Sequence, residues 1–152
     1  MPILMDGRNA TMKVLVAIDG SDSALRALRY VIEHSDMFGG APEVILLNVH
    51  LPIPSPRAKA VLGHEVVEQY YKDEAEELLA PARALLAGTR CKSIEMPVVG
   101  QPASEIIDAA KKHECGMIVM GTHGRSALGN LLMGSVAMRV IGDSPIPVLV
   151  TK

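Results

Sequence analysis

The sequence predicts an α/β protein: one domain built on a doubly wound, parallel, five-stranded sheet with helices on both faces. Three observations carry this expectation. Short runs of aliphatic and β-branched residues, too short for helices, recur near 14–18, 44–49, 93–99, 117–120 and 146–151. The stretches between them place apolar residues at three- and four-residue spacing, which gives helices one buried face. No hairpin signal joins successive runs, so each connection is a crossover and neighbouring strands pair in parallel. Such alternation builds a layered sheet covered by helices on both sides.

The first strand is read at Val14–Ile18, and it ends in the polar turn Asp19-Gly20-Ser21-Asp22-Ser23, rich in helix-capping oxygens. Ala24, Leu25, Leu28, Val31 and Ile32 then share one helical face, and Phe38-Gly39-Gly40 breaks the chain before a second strand, Val44–Val49. Pro52, Pro54 and Pro56 make His50–Leu62 an expected irregular loop, placed to cover whatever binds at the end of the second strand. A long helix is expected from about His64, with Val67, Tyr71, Leu78, Ala82 and Leu85 inward. Glu65, Glu68, Lys72, Asp73, Glu76 and Glu77 would face water, and Pro81 should kink the helix. In the third strand, Ser93–Val99, Pro97 indicates a sheet edge. Pro102 suits the first turn of the next helix, whose apolar face is Ala103, Ile106, Ile107 and Ala110. A short helix from Val136 to about Ile141 leads into the last strand, Ile146–Thr151.

At 152 residues the chain can bury a core as one domain. Its 49% hydrophobic and 21% charged content suits a well-buried sheet, and no apolar run reaches the roughly 18–20 residues of a membrane helix. A net charge of −2 argues against nucleic acid as the main partner. Cys91 and Cys115 form no CxxC and have no zinc-finger partners, so both are expected reduced and buried, in a cytoplasmic protein. Met1–Thr11 lacks the features of a signal peptide and is read as an extension to a domain spanning 12–152.

The stretch that carries chemistry is Gly116–Val136. A buried strand ends at Gly121; Gly124, Gly129 and Gly134 follow, and Ser135 opens a helix. A strand, a glycine-rich loop and a helix start together form an anion cradle, because unpaired N–H groups and the positive helix end point the same way. Glycine serves there for positive φ or for close approach. Asp19 is placed to bind ribose hydroxyls or a metal on phosphates, or else to pair within its own turn. Ser135 offers its hydroxyl and N–H, or serves as a plain N-cap. Arg125 adds a positive charge. His123, Ser135 and Asp19 could be written as a triad, but Gly-x-Ser-x-Gly is absent, so no catalytic residue is assigned and the chain is expected not to be an enzyme. His34, His50, His64 and His113 show no metal-ligand spacing, and no Walker motif occurs.

The spacing Gly121-x2-Gly124-x9-Gly134-Ser135 resembles the nucleotide-binding signature of the ATP-binding universal stress proteins. Lys13–Ala24 is similar to that family's opening strand and turn, and Ser144–Thr151 to its ending. The resemblance implies a Rossmann-like sheet of strand order 3-2-1-4-5 and a regulatory stress-response protein that binds ATP or AMP, with or without Mg2+. It implies a nucleotide site formed by Ala17, Ile18, Asp19, Val49, Met120, Gly121, His123, Gly124, Arg125, Gly134, Ser135 and Val136. Within that set the backbone of Ala17 and Val49 would read the adenine edge. It also implies a homodimer joined through Ile146–Thr151. The alternative is an enzyme that hydrolyses ATP or adenylylates in the same crevice.

Overall fold

The computed structural model describes residues 11–123 and 133–152. The extension expected at 1–11 falls almost wholly outside them, as do Gly124, Arg125 and Gly129. Five strands form one parallel sheet of order 3-2-1-4-5: β1 (Lys13–Ala17), β2 (Glu43–His50), β3 (Ser93–Val99), β4 (Met117–Gly121) and β5 (Val148–Thr151). Val16 of β1 stands beside Leu46 of β2 and Val119 of β4, which sets the register of the three central strands.

Alternation along β1 divides the core into two layers. Val14 and Val16 point to the side covered by α1 (Asp22–Glu33) and α3 (His64–Leu86), where they meet Leu28, Val31, Leu79 and Ala82. Leu15 points to the other side, against Ile106 and Ala110 of α4 (Pro102–Lys112) and Val140 of α5 (Ser135–Asp143). The helix leaving β1 and the helix leaving β4 therefore lie on opposite faces. Their strands are neighbours, so a crevice opens at the carboxyl ends between them.

Local chemistry accounts for the element boundaries. Ser21 caps α1 by accepting a hydrogen bond from the Ala24 N–H at 3.1 Å. Phe38, in a single 3-10 turn at Ser35–Phe38, is buried, and Gly39 closes the turn at φ 81°, a conformation that glycine adopts without strain. Edge position for β3 agrees with Pro97, which would interrupt a ladder inside the sheet.

Two expectations are corrected. The segment His50–Leu62 is not irregular throughout: Pro56–Leu62 forms a helix, α2. Pro56 stands in the first turn, where its missing N–H costs nothing, and Ser55 Oγ accepts from the Ala58 N–H at 3.2 Å. Only Pro52 and Pro54 act as breakers. The inward line of α3 is Val67, Ala75, Leu79, Ala82 and Leu86, with Tyr71, Leu78 and Leu85 at its border. The helix runs on through Pro81, which is exposed. The acidic face of α3 is exposed as expected, and parts of it are engaged, Glu76 among them: Arg83 grips both carboxylate oxygens of Glu76 at 2.8 Å and also bonds Glu95 of β3. That hydrogen bond holds the Glu76 carboxyl below its ordinary range.

Cys115 is buried, and burial pushes its thiol up; Cys91 is only half-buried, and both are free. No helix among the described residues is long and apolar enough to cross a membrane.

Candidate functional site

A cavity of about 710 Å3 occupies the crevice at the carboxyl ends of β1 and β4. Ten of the twelve residues expected to bind a ligand line it: Ala17, Ile18, Asp19, Val49, Met120, Gly121, His123, Gly134, Ser135 and Val136. They come from four separate parts of the chain. The other two, Gly124 and Arg125, lie outside the described residues. No residue of the 51–62 segment lines the cavity, so the expected cover is not in place over it.

The floor is apolar and strand-borne. Leu47 and Val49 of β2, Ala17 of β1 and Met120 of β4 point into it, and Ile106 of α4 closes its side. The rim is polar. Asp19 Oδ1 accepts from the Ser21 N–H at 2.9 Å and from the Ser21 hydroxyl at 2.6 Å. The carboxylate thus stiffens its own turn while still facing the cavity, because both bonds use one oxygen and a carboxylate has two. Beneath the turn, the buried Asn48 donates from Nδ2 to the Ile18 carbonyl at 2.8 Å, which ties β2 to the start of the turn.

The opposite rim is the start of α5. Ser135 is the first helical residue and Gly134 holds the capping position, with φ −72° and ψ 161°. The reading of Ser135 as a plain N-cap is therefore corrected. Gly134 has no side chain to cap with, so the first-turn amides of α5 open toward the cavity that Ser135, Val136 and Ala137 line. A helix start in this state carries partial positive charge and attracts anions. The Gly134 N–H donates to the Thr122 carbonyl at 2.5 Å, and the Thr122 N–H to the Thr151 carbonyl at 2.8 Å. Both ends of the glycine-rich stretch are thereby fastened to the sheet. His123 Nδ1 lies 2.9 Å from Thr122 Oγ1.

The described glycines of the signature serve two different purposes, and neither requires positive φ. A Cβ on Gly121 would run into Ser23 and stand 2.7 Å from its backbone carbon. Its small size is thus a packing requirement between β4 and the first turn of α1. Gly134 holds the capping position of α5 without a side chain.

Sequence reasoning missed Ser21, Leu47, Pro102, Ile106, Thr122 and Met138, which also line the cavity. Ser21 and Thr122 could have been found as neighbours of Asp19 and Gly121. Pro102 and Ile106 had no local signal, since α4 reaches the site only through packing. Among the described residues no group of three or more His, Cys, Asp or Glu is placed to hold a metal.

These features define a doubly wound α/β protein with a crevice at the point where the strand order reverses. The chain belongs to the Universal stress protein family, whose profile matches residues 11–152. It is similar to a universal stress protein of Methanocaldococcus jannaschii, 33% identical over 150 residues that cover 99% of this chain and 87% of the relative. It also resembles a universal stress protein from Archaeoglobus fulgidus solved in complex with dAMP, at 27% identity and a TM-score of 0.63, covering 93% and 98% of the two chains. A third relative, a universal stress protein crystallised in complex with cAMP, matches at 25% identity and a TM-score of 0.60, covering 93% and 96%.

The packing role of Gly121 is testable against a glycine that has room. Gly121→Ala is expected to destabilise the fold by about 1–3 kcal/mol, the usual cost of forcing a methyl group into a filled space. Nothing lies within 4 Å of a Cβ on Gly142 in α5. Gly142→Ala should then be neutral or stabilising by up to about 1 kcal/mol, because alanine favours helix. Urea denaturation of the two variants measures the difference, and equal effects would refute the packing assignment.

Proposed function

We propose that this chain is a regulatory stress-response protein that binds an adenine nucleotide, ATP or AMP, in the cavity described above and does not turn it over efficiently. The observation that carries the reading is the meeting of an apolar floor, a carboxylate and an open helix start in one space of about 710 Å3, within the range of small-molecule sites. The two ligand-bound relatives support it. Their ligands, cAMP and dAMP, differ in sugar and in phosphate form and share adenine.

In this reading adenine lies on Ala17, Ile18, Val49, Met120 and Val136, with strand-end backbone at its edge. Asp19 accepts from ribose hydroxyls. Gly121, His123, Gly134 and Ser135, with Gly124 and Arg125, surround the phosphates. If Mg2+ accompanies ATP, Asp19 is the carboxylate to meet it; such an ion keeps several waters and takes its other ligands from phosphate. Backbone N–H groups hold phosphate about equally before and during reaction, and such uniform binding gives affinity without acceleration. Occupancy is then the signal, and a partner reads it. Two free cysteines agree with a cytoplasmic setting. The domain is taken as 12–152, preceded by an extension.

Two measurements test this. Gly134→Val places a branched side chain at the helix start without backbone strain, since φ there is −72°. It should weaken ATP and AMP binding by about tenfold or more, about 1.4 kcal/mol, in calorimetry. Unchanged affinity for both would remove the cradle. Steady-state phosphate release by the wild type should stay well below the roughly 1–1000 per second of typical enzymes. Turnover in that range, lost in His123→Ala with affinity retained, would favour hydrolysis or adenylyl transfer instead. We further propose a homodimer through 146–151, because β5 is a sheet edge with Val148, Leu149 and Val150 only partly buried. Sedimentation velocity should show a dimer; a monomer at working concentration overturns it.

A further inference from the structure

Away from the cavity, the carboxyl end of β2 carries a cluster that the nucleotide reading does not use. His50 is the last residue of β2, and its side chain is only 17% exposed. Its Nε2 lies 2.5 Å from Glu74 Oε2 of α3, and its Nδ1 lies 2.6 Å from the Leu51 carbonyl oxygen. The ring stands edge-on to Tyr70 and Tyr71 of the same helix, with centroids 5.6 and 4.7 Å away. The Tyr71 hydroxyl accepts from the Ile53 N–H at 3.0 Å. The backbone carbonyl of His50 accepts from the Gly100 N–H at 2.9 Å. The segment 50–53, which leads to α2, is thus fastened to α3 on both sides of its first proline.

The proton count of this cluster is set by its acceptors. A neutral imidazole has one N–H and one lone pair, whereas an imidazolium has two N–H groups. Here one ring nitrogen faces a carbonyl oxygen, which can only accept, and the other faces a carboxyl group. Both contacts are satisfied when the His50–Glu74 pair holds a proton between them, as imidazolium with carboxylate. When that proton leaves to water, Glu74 stays ionised and a lone pair of His50 must face either the Leu51 carbonyl or the Glu74 carboxylate. One of the two contacts then turns repulsive. Among the described contacts, the titratable groups facing His50 are Glu74, Tyr70 and Tyr71, all from α3; its ladder neighbour on β3 is Val99.

We propose that His50 and Glu74 form a proton-dependent latch that holds the 51–55 link and α2 against α3 and releases them as pH rises. What the release frees is specific. α2 has no buried residue, and Val61 and Leu62 at its end are exposed apolar side chains. The helix therefore has little holding of its own, and the latch supplies a fixed point at its amino-terminal side. The sign follows from the proton: between the pH at which a released His50 loses it and the higher pH at which the latched pair does, the latched state binds one proton more, so the latch is lost as pH rises through that window.

Two measurements on the full-length chain test the latch. Nitrogen-15 spectra of the His50 ring should show both nitrogens protonated in the latched state, with loss of that signature at higher pH. Across the same transition, scanned upward from about pH 5 through the range to about pH 8 where histidines change charge, the Ile53 amide should lose protection from hydrogen exchange. The expected loss is about tenfold after correction for the intrinsic rate. In His50→Asn and Glu74→Gln the protection should be lower and should lack this pH step. A neutral His50 ring throughout the range overturns the proposal even if neither variant folds. An Ile53 profile that is the same in wild type and in folded variants overturns it as well.

Discussion

The pairing of β1 with β4 is the contact on which the rest of the structure depends. The two strands are about a hundred residues apart in the chain, yet Val16 lies beside Val119 in the parallel ladder. Because α1 leaves β1 on one face and α5 leaves β4 on the other, a crevice opens between them at the carboxyl ends of the two strands. The cavity is the consequence of that divergence. The pairing needs α1 to approach β4 closely, and Gly121 permits it by offering no side chain to Ser23.

Two electrostatic features then give the cavity a direction. At one rim Asp19 supplies negative charge, stiffened by two hydrogen bonds from Ser21. At the other, the uncapped start of α5 supplies partial positive charge from its first-turn amides. A molecule with hydroxyls at its middle and phosphate at one end complements both. The apolar strand residues between them suit a flat, weakly polar ring. Each part is ordinary; it is on their order across one space that the proposed nucleotide site rests.

The α1/α3 face of the sheet and the α4/α5 face have separate duties. The α4/α5 layer closes the cavity through Pro102 and Ile106, while the α1/α3 layer carries the His50–Glu74 pair. Val49 and His50 are consecutive, and pleating sends them to opposite faces. A strand buried on both sides can thus serve two sites within two residues, which is how β2 contributes to both.

The sequence by itself determined the five strands, every α-helix but α2, the parallel pairing and the candidate positions at Asp19, Gly121 and Gly134–Val136. Those signals are local: hydrophobic period, capping oxygens, breakers and glycine spacing act within a few residues of each other. The α2 helix was within reach too, since Ser55 and Pro56 form a start signal, but two neighbouring prolines obscured it. Other features came only with tertiary structure. Gly121 faces Ser23, Ile106 reaches the cavity from α4, and His50 meets Glu74 across 24 positions of chain. The inward line of α3 was decided in the same way, by where the sheet lies beneath Ala75 and Leu79. These depend on which faces the folded layers bring together, and a one-dimensional pattern holds no distances between residues that are far apart along it.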